Sequence, residues 1–464
     1  MTDPSSLRGS ARRIFPLAWP VTVGQVAVLG FSTVDTVLLA RHDVVDLAAL
    51  AIGASAYVTV FVGLMGVLLA ISPIAGRFYG AGDRPAAGRQ LEQAIWLALM
   101  MTVFGAGLLL MPQPFLALAH ASPAVAGKVQ AYLQALAVAL PAALMFTAYR
   151  GFNTAISRPK AVMAMQLGGL ALKVPLSMLL VNGTAWGPVN IPPLGLTGCG
   201  IATAIVMWCQ WLAALTLLRR DPFYRPFRLW AHGLARPQRD PIMAQLRLGV
   251  PMGLAILIEV SGFTFMAFFI SRLGATPLAG HQIAVNLVAL LFMLPLGLAN
   301  GTSTLVAQRI GAGDARDAHR LGWHGVWIAG LLASVLGGAV FLLREPILRL
   351  YTHDATIVAA ALPLLAWVAL FHIGDALQCA ASFVLRAWHV ATVPVVIYAV
   401  ALWGVGLGGG YAAAFGHLGM PALQGARGFW IASTSSLLLA AALLCALLAW
   451  VMKQKTRAGL SHAG

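Results

Sequence analysis

Twelve apolar stretches, each long enough to cross a lipid bilayer as a helix, follow one another along this sequence and leave little of it for anything else. They run over 14–39, 47–75, 93–112, 129–149, 161–181 and 193–218. After a polar break they resume over 246–271, 278–307, 322–343, 356–385, 392–413 and 428–451. A hydrocarbon core of about 30 Å takes roughly 20 helical residues to cross. A helix also satisfies its own backbone polar groups, which lipid cannot do. Charge points the same way: Asp, Glu, Lys and Arg make up 9% of the 464 residues, against about 25% in soluble domains. Alternating segments of about ten residues do not recur, so a closed barrel is disfavoured. The expected class is an all-α integral membrane protein of twelve transmembrane helices. Several stretches are long enough to demand tilting or bending. Pro20, Pro141, Pro175, Pro251, Pro295 and Pro394 lie in or near the stretches, where they either set packing geometry or act as hinges.

The formal net charge of +16 raises nucleic acid as a partner, but its distribution gives a different reading. With the N-terminus in the cytoplasm, 23 of the 30 Lys and Arg residues fall in the two termini and the even-numbered connections, Arg247 at the edge of span 7 being counted with its connection. The odd-numbered connections hold 6, and Lys173 lies within span 5. Such a bias sets orientation, placing both termini in the cytoplasm and the basic residues against anionic lipid. No nucleic-acid partner is needed. Cys199, Cys209, Cys379 and Cys445 all fall inside apolar stretches and read as small buried residues. The first stretch is too long for a cleavable signal and is followed by no clear A-x-A site.

The chain repeats itself at an offset of 231 residues. Pro20 falls on Pro251, Arg41 on Arg272, Ile52 on Ile283 and Trp96 on Trp327. Gly80-Ala81-Gly82-Asp83 falls on Gly311-Ala312-Gly313-Asp314, each directly after the second span of its half. Six spans separate equivalent points, so the halves share one orientation, as in transporters that rock two bundles about a central site. The expected organisation is an N-terminal six-helix bundle over 1–220, a cytoplasmic linker over 221–245 and a C-terminal six-helix bundle over 246–464.

Three acids interrupt the apolar spans: Asp35 in span 1, Glu259 in span 7 and Asp375 in span 10. A charge near the bilayer centre costs a few kcal/mol or more, so such groups usually face a cavity and mark an ion or proton path. A carboxyl in a low-dielectric cavity takes a proton more readily than in water, and with other oxygens around it binds a hard cation such as Na⁺ instead. Either would neutralise a cavity that otherwise attracts a cationic substrate, so ion and substrate would exchange. The repeat does not duplicate these acids, because Val28 and Met266 stand at the positions equivalent to Glu259 and Asp35. Gln282 and Asn286, four apart on span 8, share a face and are candidate polar groups of a substrate cavity or of an interhelical hydrogen bond. Lys173 is either a counter-ion for Asp35 or a snorkelling side chain. Phe31, Trp208, Phe292 and Phe371 would line a pocket or face lipid.

Taken in order, these segments resemble the multidrug and toxic compound extrusion (MATE) transporters, especially their NorM branch. The resemblance rests on Phe31-Ser32-Thr33-Val34-Asp35-Thr36, on Gly198-Cys199-Gly200-Ile201-Ala202-Thr203-Ala204, on Ile258-Glu259-Val260 and on Gly374-Asp375. The paired Gly-Ala-Gly-Asp segments and Gly280-His281-Gln282 add to it. It implies a secondary active multidrug exporter of the bacterial cytoplasmic (inner) membrane, taking cationic amphipathic drugs and dyes in exchange for Na⁺ or H⁺, with no cofactor and functional as a monomer. By that resemblance Glu259 and Asp375 hold the coupling ion, with Na⁺ as a metal ligand set, and Asp35 serves proton or substrate in an N-terminal cavity. Phe371 stands where some relatives have a tyrosine, removing one possible oxygen ligand.

Rival readings fit less well. Intramembrane aspartyl proteases share Gly-x-Gly-Asp, but Asp83 and Asp314 lie in basic connections and the sequence has no Tyr-Asp pair, so an enzyme is not expected. No G-x-x-x-x-G-K-[ST] loop is present for ATP. A lipid-linked precursor flippase of the same broad superfamily is the alternative. Its anionic cargo calls for several basic residues in the central spans, where Lys173 stands alone.

Overall fold

The computed structural model describes residues 6–118, 122–186, 189–230, 233–417 and 419–461. Twelve of its helices are long and apolar enough to cross a membrane. Spans 1–6 are Leu7–His42, Val44–Gly80, Arg84–Leu110, Pro123–Ala155, Pro159–Asn182 and Gly195–Arg220. Spans 7–12 are Arg239–Ser271, Ala275–Gly311, Ala315–Leu342, Ala355–Ala387, Thr392–Ala414 and Ala426–Lys455. Each contains one apolar stretch of the sequence to within two residues, and the twelve-span helical class holds. A short antiparallel hairpin, Thr184–Trp186 with Val189–Ile191, joins spans 5 and 6. Residues such as Val103, Phe104, Val335 and Leu342 are exposed, as a lipid-facing surface requires.

Several helices overrun their apolar stretch at a charged end. Span 3 starts at Arg84, span 4 ends at Ala155 and span 10 ends at Ala387. Arg, Gln and Glu propagate a helix nearly as well as Ala, so apolarity stops before the helix does. Arginines counted as connection residues from the sequence therefore lie inside these helices, Arg150 and Arg386 among them. Arg150 donates to Gln25 Oε1 at 3.0 Å, and Arg386 is buried in the last turn of span 10. Pro20, Pro141, Pro175, Pro251 and Pro295 sit within helices, and Pro394 in the first turn of span 11. Span 11 is wound differently over Ala399–Gly408, where it is π-helical, a rare form that frequently marks a functional site.

The two Gly-Ala-Gly-Asp segments make the same turn. Ala81 N–H donates to Arg77 O and Ala312 N–H to Gln308 O, both at 2.9 Å. Gly82 and Gly313 follow at φ +79° and +77°, the left-handed conformation that glycine adopts without steric cost. Asp83 and Asp314 then cap the next helix, accepting from Ala86 N–H and Asp317 N–H at 2.9 Å, a typical N-cap role.

The chain forms two compact units, Val23–Gly253 and Met1–Thr22 with Leu254–Gly464. Both breaks fall inside helices, spans 1 and 7, and Thr22 and Gly253 are equivalent positions of the 231-residue repeat. In the C-terminal unit a Cβ on Gly297 would lie 2.0 Å from Thr22 Oγ1 and 2.8 Å from Ala18 O. In the N-terminal unit a Cβ on Gly249 would lie 2.2 Å from Val67 O, and one on Gly253 2.7 Å from Gly63 O. The opening half of span 1 thus packs on span 8, and that of span 7 on span 2. The segment after span 6 packs within the N-terminal unit: Tyr224 and Phe227 are buried, Trp230 N–H donates to Glu92 at 2.7 Å, and Trp96 donates to Ala235 O at 2.7 Å.

Candidate ion and substrate sites

In the C-terminal unit, spans 7 and 10 bring two of the three intramembrane acids together. Gln378, one turn beyond Asp375 on span 10, donates through its side-chain amide to Asp375 Oδ1 at 2.9 Å and to Glu259 Oε1 at 3.2 Å. Those oxygens are therefore at most about 6 Å apart, the sum of the two distances. Tyr398 of span 11 donates its hydroxyl to Gln378 Oε1, which fixes the amide so that its N–H groups face the acids. Among the described residues Glu259 Oε2 and Asp375 Oδ2 receive no hydrogen bond, leaving each acid one uncommitted oxygen. At an effective dielectric of about 20, two ionised carboxylates ~6 Å apart repel by about 3 kcal/mol. A proton or a small cation between them removes that penalty.

Arg386 tempers this charge. Its guanidinium stacks on Phe383 at 4.2 Å and is near enough to Glu259 and Tyr398 to act on both electrostatically. Two acids against one arginine leave the cluster one negative charge in excess when both are ionised. Gln378, Tyr398 and Arg386 escaped the sequence reading. The spacing of Gln378 at i+3 from Asp375, which puts both on one helix face, was the available signal.

Asp35 sits in a different setting. In the N-terminal unit Lys173, whose side chain is 0% exposed, reaches it at 2.9 Å. Lys173 also donates to Cys199 O at 3.0 Å and to Thr203 Oγ1 at 2.6 Å, which uses all three ammonium protons. Ser177 donates to Asp35 Oδ1 at 3.5 Å. Lys173 is thus a counter-ion and does not snorkel. The glycine-rich start of span 6 lets this happen: a Cβ on Gly198 would meet Leu180 O of span 5 at 2.6 Å and one on Gly200 would meet Ala135 Cβ of span 4 at 2.9 Å, so span 6 approaches both closely.

Gln282 and Asn286 join neither cluster. Both are exposed, and Asn286 Oδ1 accepts from Tyr351 at 2.9 Å. Their i, i+4 spacing correctly put them on one face but did not say which way it points. Phe371 packs between Phe263 and Trp430. Among the described residues no group of three or more His, Cys, Asp or Glu side chains is placed to hold a metal, so a cation at Glu259 and Asp375 would need further oxygens from water or hydroxyls.

The sequence pattern of the MatE family matches residues 20–179 and again 251–412, two copies whose starts lie at the repeat offset. The chain belongs to the MatE family. A probable multidrug resistance protein NorM of Aromatoleum aromaticum is 38% identical, covering 98% of this chain and 97% of that protein. A protein of the same name in Chromobacterium violaceum is 37% identical over 97% and 96%. The crystal structure of the eukaryotic MATE transporter AtDTX14 aligns with a TM-score of 0.86 at 19% identity over 99% of this chain and all of that one, a likeness of fold. The family resemblance read from the short segments around Asp35, Cys199, Glu259 and Asp375 is thus that of the whole chain. This MatE protein carries its intramembrane acids unequally: a hydrogen-bonded acid pair in one unit and a neutralised acid in the other.

Proposed function

We propose that this MatE protein is a secondary active multidrug exporter of the bacterial cytoplasmic membrane, both termini cytoplasmic, that moves cationic amphipathic drugs outward in exchange for Na⁺ or H⁺. The carrying observation is the Glu259–Gln378–Asp375 cluster, with two carboxylates held close, an oxygen of each uncommitted and a surplus of negative charge. A site so poised binds a cation or proton reversibly, because occupancy relieves a repulsion of the same order as the membrane's driving force. At −100 mV each inward charge supplies about 2.3 kcal/mol. The NorM names of the relatives support multidrug cargo. The flippase alternative loses its basic residue, since Lys173 is committed to Asp35.

In this proposal Glu259 and Asp375 take the coupling ion, Gln378 sets their spacing, and the Asp35–Lys173 pair is the N-terminal unit's responsive element. Protonation of Asp35 would release Lys173. The test is efflux of ethidium from drug-sensitive cells, with a sodium pulse and a proton pulse applied separately. Wild type should respond to one pulse, and Glu259→Gln and Asp375→Asn should lose the response. Normal export by both variants would overturn the assignment.

A further inference from the structure

A small chamber lies beside Glu259 inside the C-terminal unit. Its volume is about 40 Å³ and its walls include Glu259, Gly262 and Met266 of span 7, Phe371 of span 10, and Ser433 and Ser436 of span 12. One water needs roughly 10–15 Å³ measured this way, so about three fit. Its wall is mainly apolar, and the polar groups come from two helices: a carboxylate from span 7, two hydroxyls from span 12.

Those hydroxyls have acceptor capacity to spare. Ser433 donates to Met266 Sδ at 3.4 Å and Ser436 to the Ser433 carbonyl at 2.8 Å. Among the described residues neither Oγ receives a hydrogen bond, so the lone pairs of both are uncommitted. A monovalent cation sheds water only against such oxygens, because an unpaired charge in an apolar cavity is prohibitively expensive.

The remaining wall is the π-helical segment of span 11, which contributes Leu402 and Leu407. That segment is fitted to both sides of the chamber. Trp403 donates its indole N–H to Ile258 O at 3.2 Å, the carbonyl just before Glu259. A Cβ on Gly406 would lie 2.7 Å from Ser436 Oγ, so span 11 needs glycine there to leave the serine its place.

We propose that this chamber is the entrance by which a hydrated monovalent cation reaches Glu259, with Ser433 and Ser436 as its transient oxygen ligands. The inference rests on the reading of Glu259 as an ion-binding carboxylate. The serines give the oxygens that Phe371, at the same wall, lacks. Gly262 gives an independent handle, because a Cβ there meets nothing within 4 Å. A valine at this position would add its side chain at the chamber wall, where the Cβ itself is unobstructed.

The experiment uses the full chain in proteoliposomes, reading ethidium transport while NaCl is titrated at fixed pH and, separately, pH is titrated without sodium. Ser433→Ala/Ser436→Ala should raise the half-saturating concentration of whichever cation drives wild type by about tenfold, as expected for taking two oxygen ligands from a charge in an apolar cavity, with the maximal rate within about twofold. Ser433→Thr/Ser436→Thr, which keeps both hydroxyls, should restore the wild-type value. Gly262→Val should reproduce the alanine phenotype, and Gly338→Val, where a Cβ also meets nothing within 4 Å, should not. Unchanged cation dependence in the alanine variant, or threonine as damaging as alanine, overturns the entrance while leaving Glu259 as the ion site. If Glu259→Gln transports like wild type in both titrations, the ion site itself falls and the entrance with it.

Discussion

Lys173 Nζ lies 2.9 Å from Asp35 Oδ1 and 3.0 Å from Oδ2, with the lysine side chain wholly buried. Two opposite full charges thus cancel inside the N-terminal unit, while 2.9 and 3.2 Å hydrogen bonds to one amide hold two like charges together in the C-terminal unit. The repeat provides one scaffold for both arrangements. Their opposite electrostatics follow from a handful of side chains that the repeat does not share.

The buried pair gives the first prediction. Removing one partner of a buried ion pair leaves an uncompensated charge and costs about 3–5 kcal/mol, whereas replacing both is far milder. Asp35→Asn and Lys173→Met should each lower the unfolding temperature of the purified protein sharply, and the double variant should lie nearer wild type than the sum of the two. Strict additivity in thermal unfolding would show that the two charges do not interact.

Gln378 gives the second. Gln378→Leu removes the donor shared by Glu259 and Asp375, each bond to a charged group being worth about 1.5–3 kcal/mol. Transport of ethidium at low driving-ion concentration should fall about tenfold, with partial recovery at high concentration as the cation itself bridges the acids. Tyr398→Phe frees the amide to rotate and should give a smaller loss in the same titration. A Tyr398→Phe loss equal to that of Gln378→Leu would mean that the hydroxyl, not the amide, organises the acids.

How much of this was legible in the sequence depends on what each residue costs in lipid. Glu259, Asp375 and Asp35 stood out because a carboxylate is improbable within an apolar span, and Lys173 for the same reason. Gln378 did not, since a neutral amide is tolerated in many places and its role depends on how span 10 is rotated against span 7. For Gln282 and Asn286 only the shared face was legible, because spacing does not give its direction. Arg150 and Arg386 were read as connection residues because hydropathy ends about a turn before the helix does. The unit boundaries within spans 1 and 7 could not be read at all, being a property of tertiary packing. The repeat offset of 231 residues was legible throughout, and the turns at Gly82 and Gly313 follow from it.

The third prediction concerns pH. Asp221, just past span 6, accepts from Arg158 at 2.6 Å and from Phe223 N–H at 2.9 Å. The Arg158 hydrogen bond, the Phe223 N–H and the arginine's charge hold its carboxyl below the usual 3.8. A group whose folded pKa is depressed contributes stability that is present above 3.8 and is lost as pH falls through the folded value. Asp221→Asn should therefore be less stable than wild type at neutral pH, and the gap should close as pH drops below 3.8. Thermal unfolding across that range checks it. A gap that widens in acid reverses the sign and rejects the account.

The fourth prediction separates glycines that permit a contact from glycines that merely occupy a helix. Gly249 sits in span 7 where a Cβ would come 2.2 Å from the Val67 carbonyl and 2.9 Å from its Cα, and backbone cannot move aside as a side chain does. Gly249→Ala should force spans 2 and 7 apart and destabilise the N-terminal unit by about 1–3 kcal/mol, the usual range for overpacking. At Gly168 in span 5 and Gly338 in span 9 a Cβ meets nothing within 4 Å. There alanine only restricts the unfolded chain and favours the helix, so Gly168→Ala and Gly338→Ala should each stabilise by about 0.5–1 kcal/mol. The three variants compared by thermal unfolding in one detergent provide the check. Equal effects at Gly249 and Gly338 would mean that the span 2–span 7 crossing is loose, and that the packing of span 7's opening half does not depend on close backbone contact.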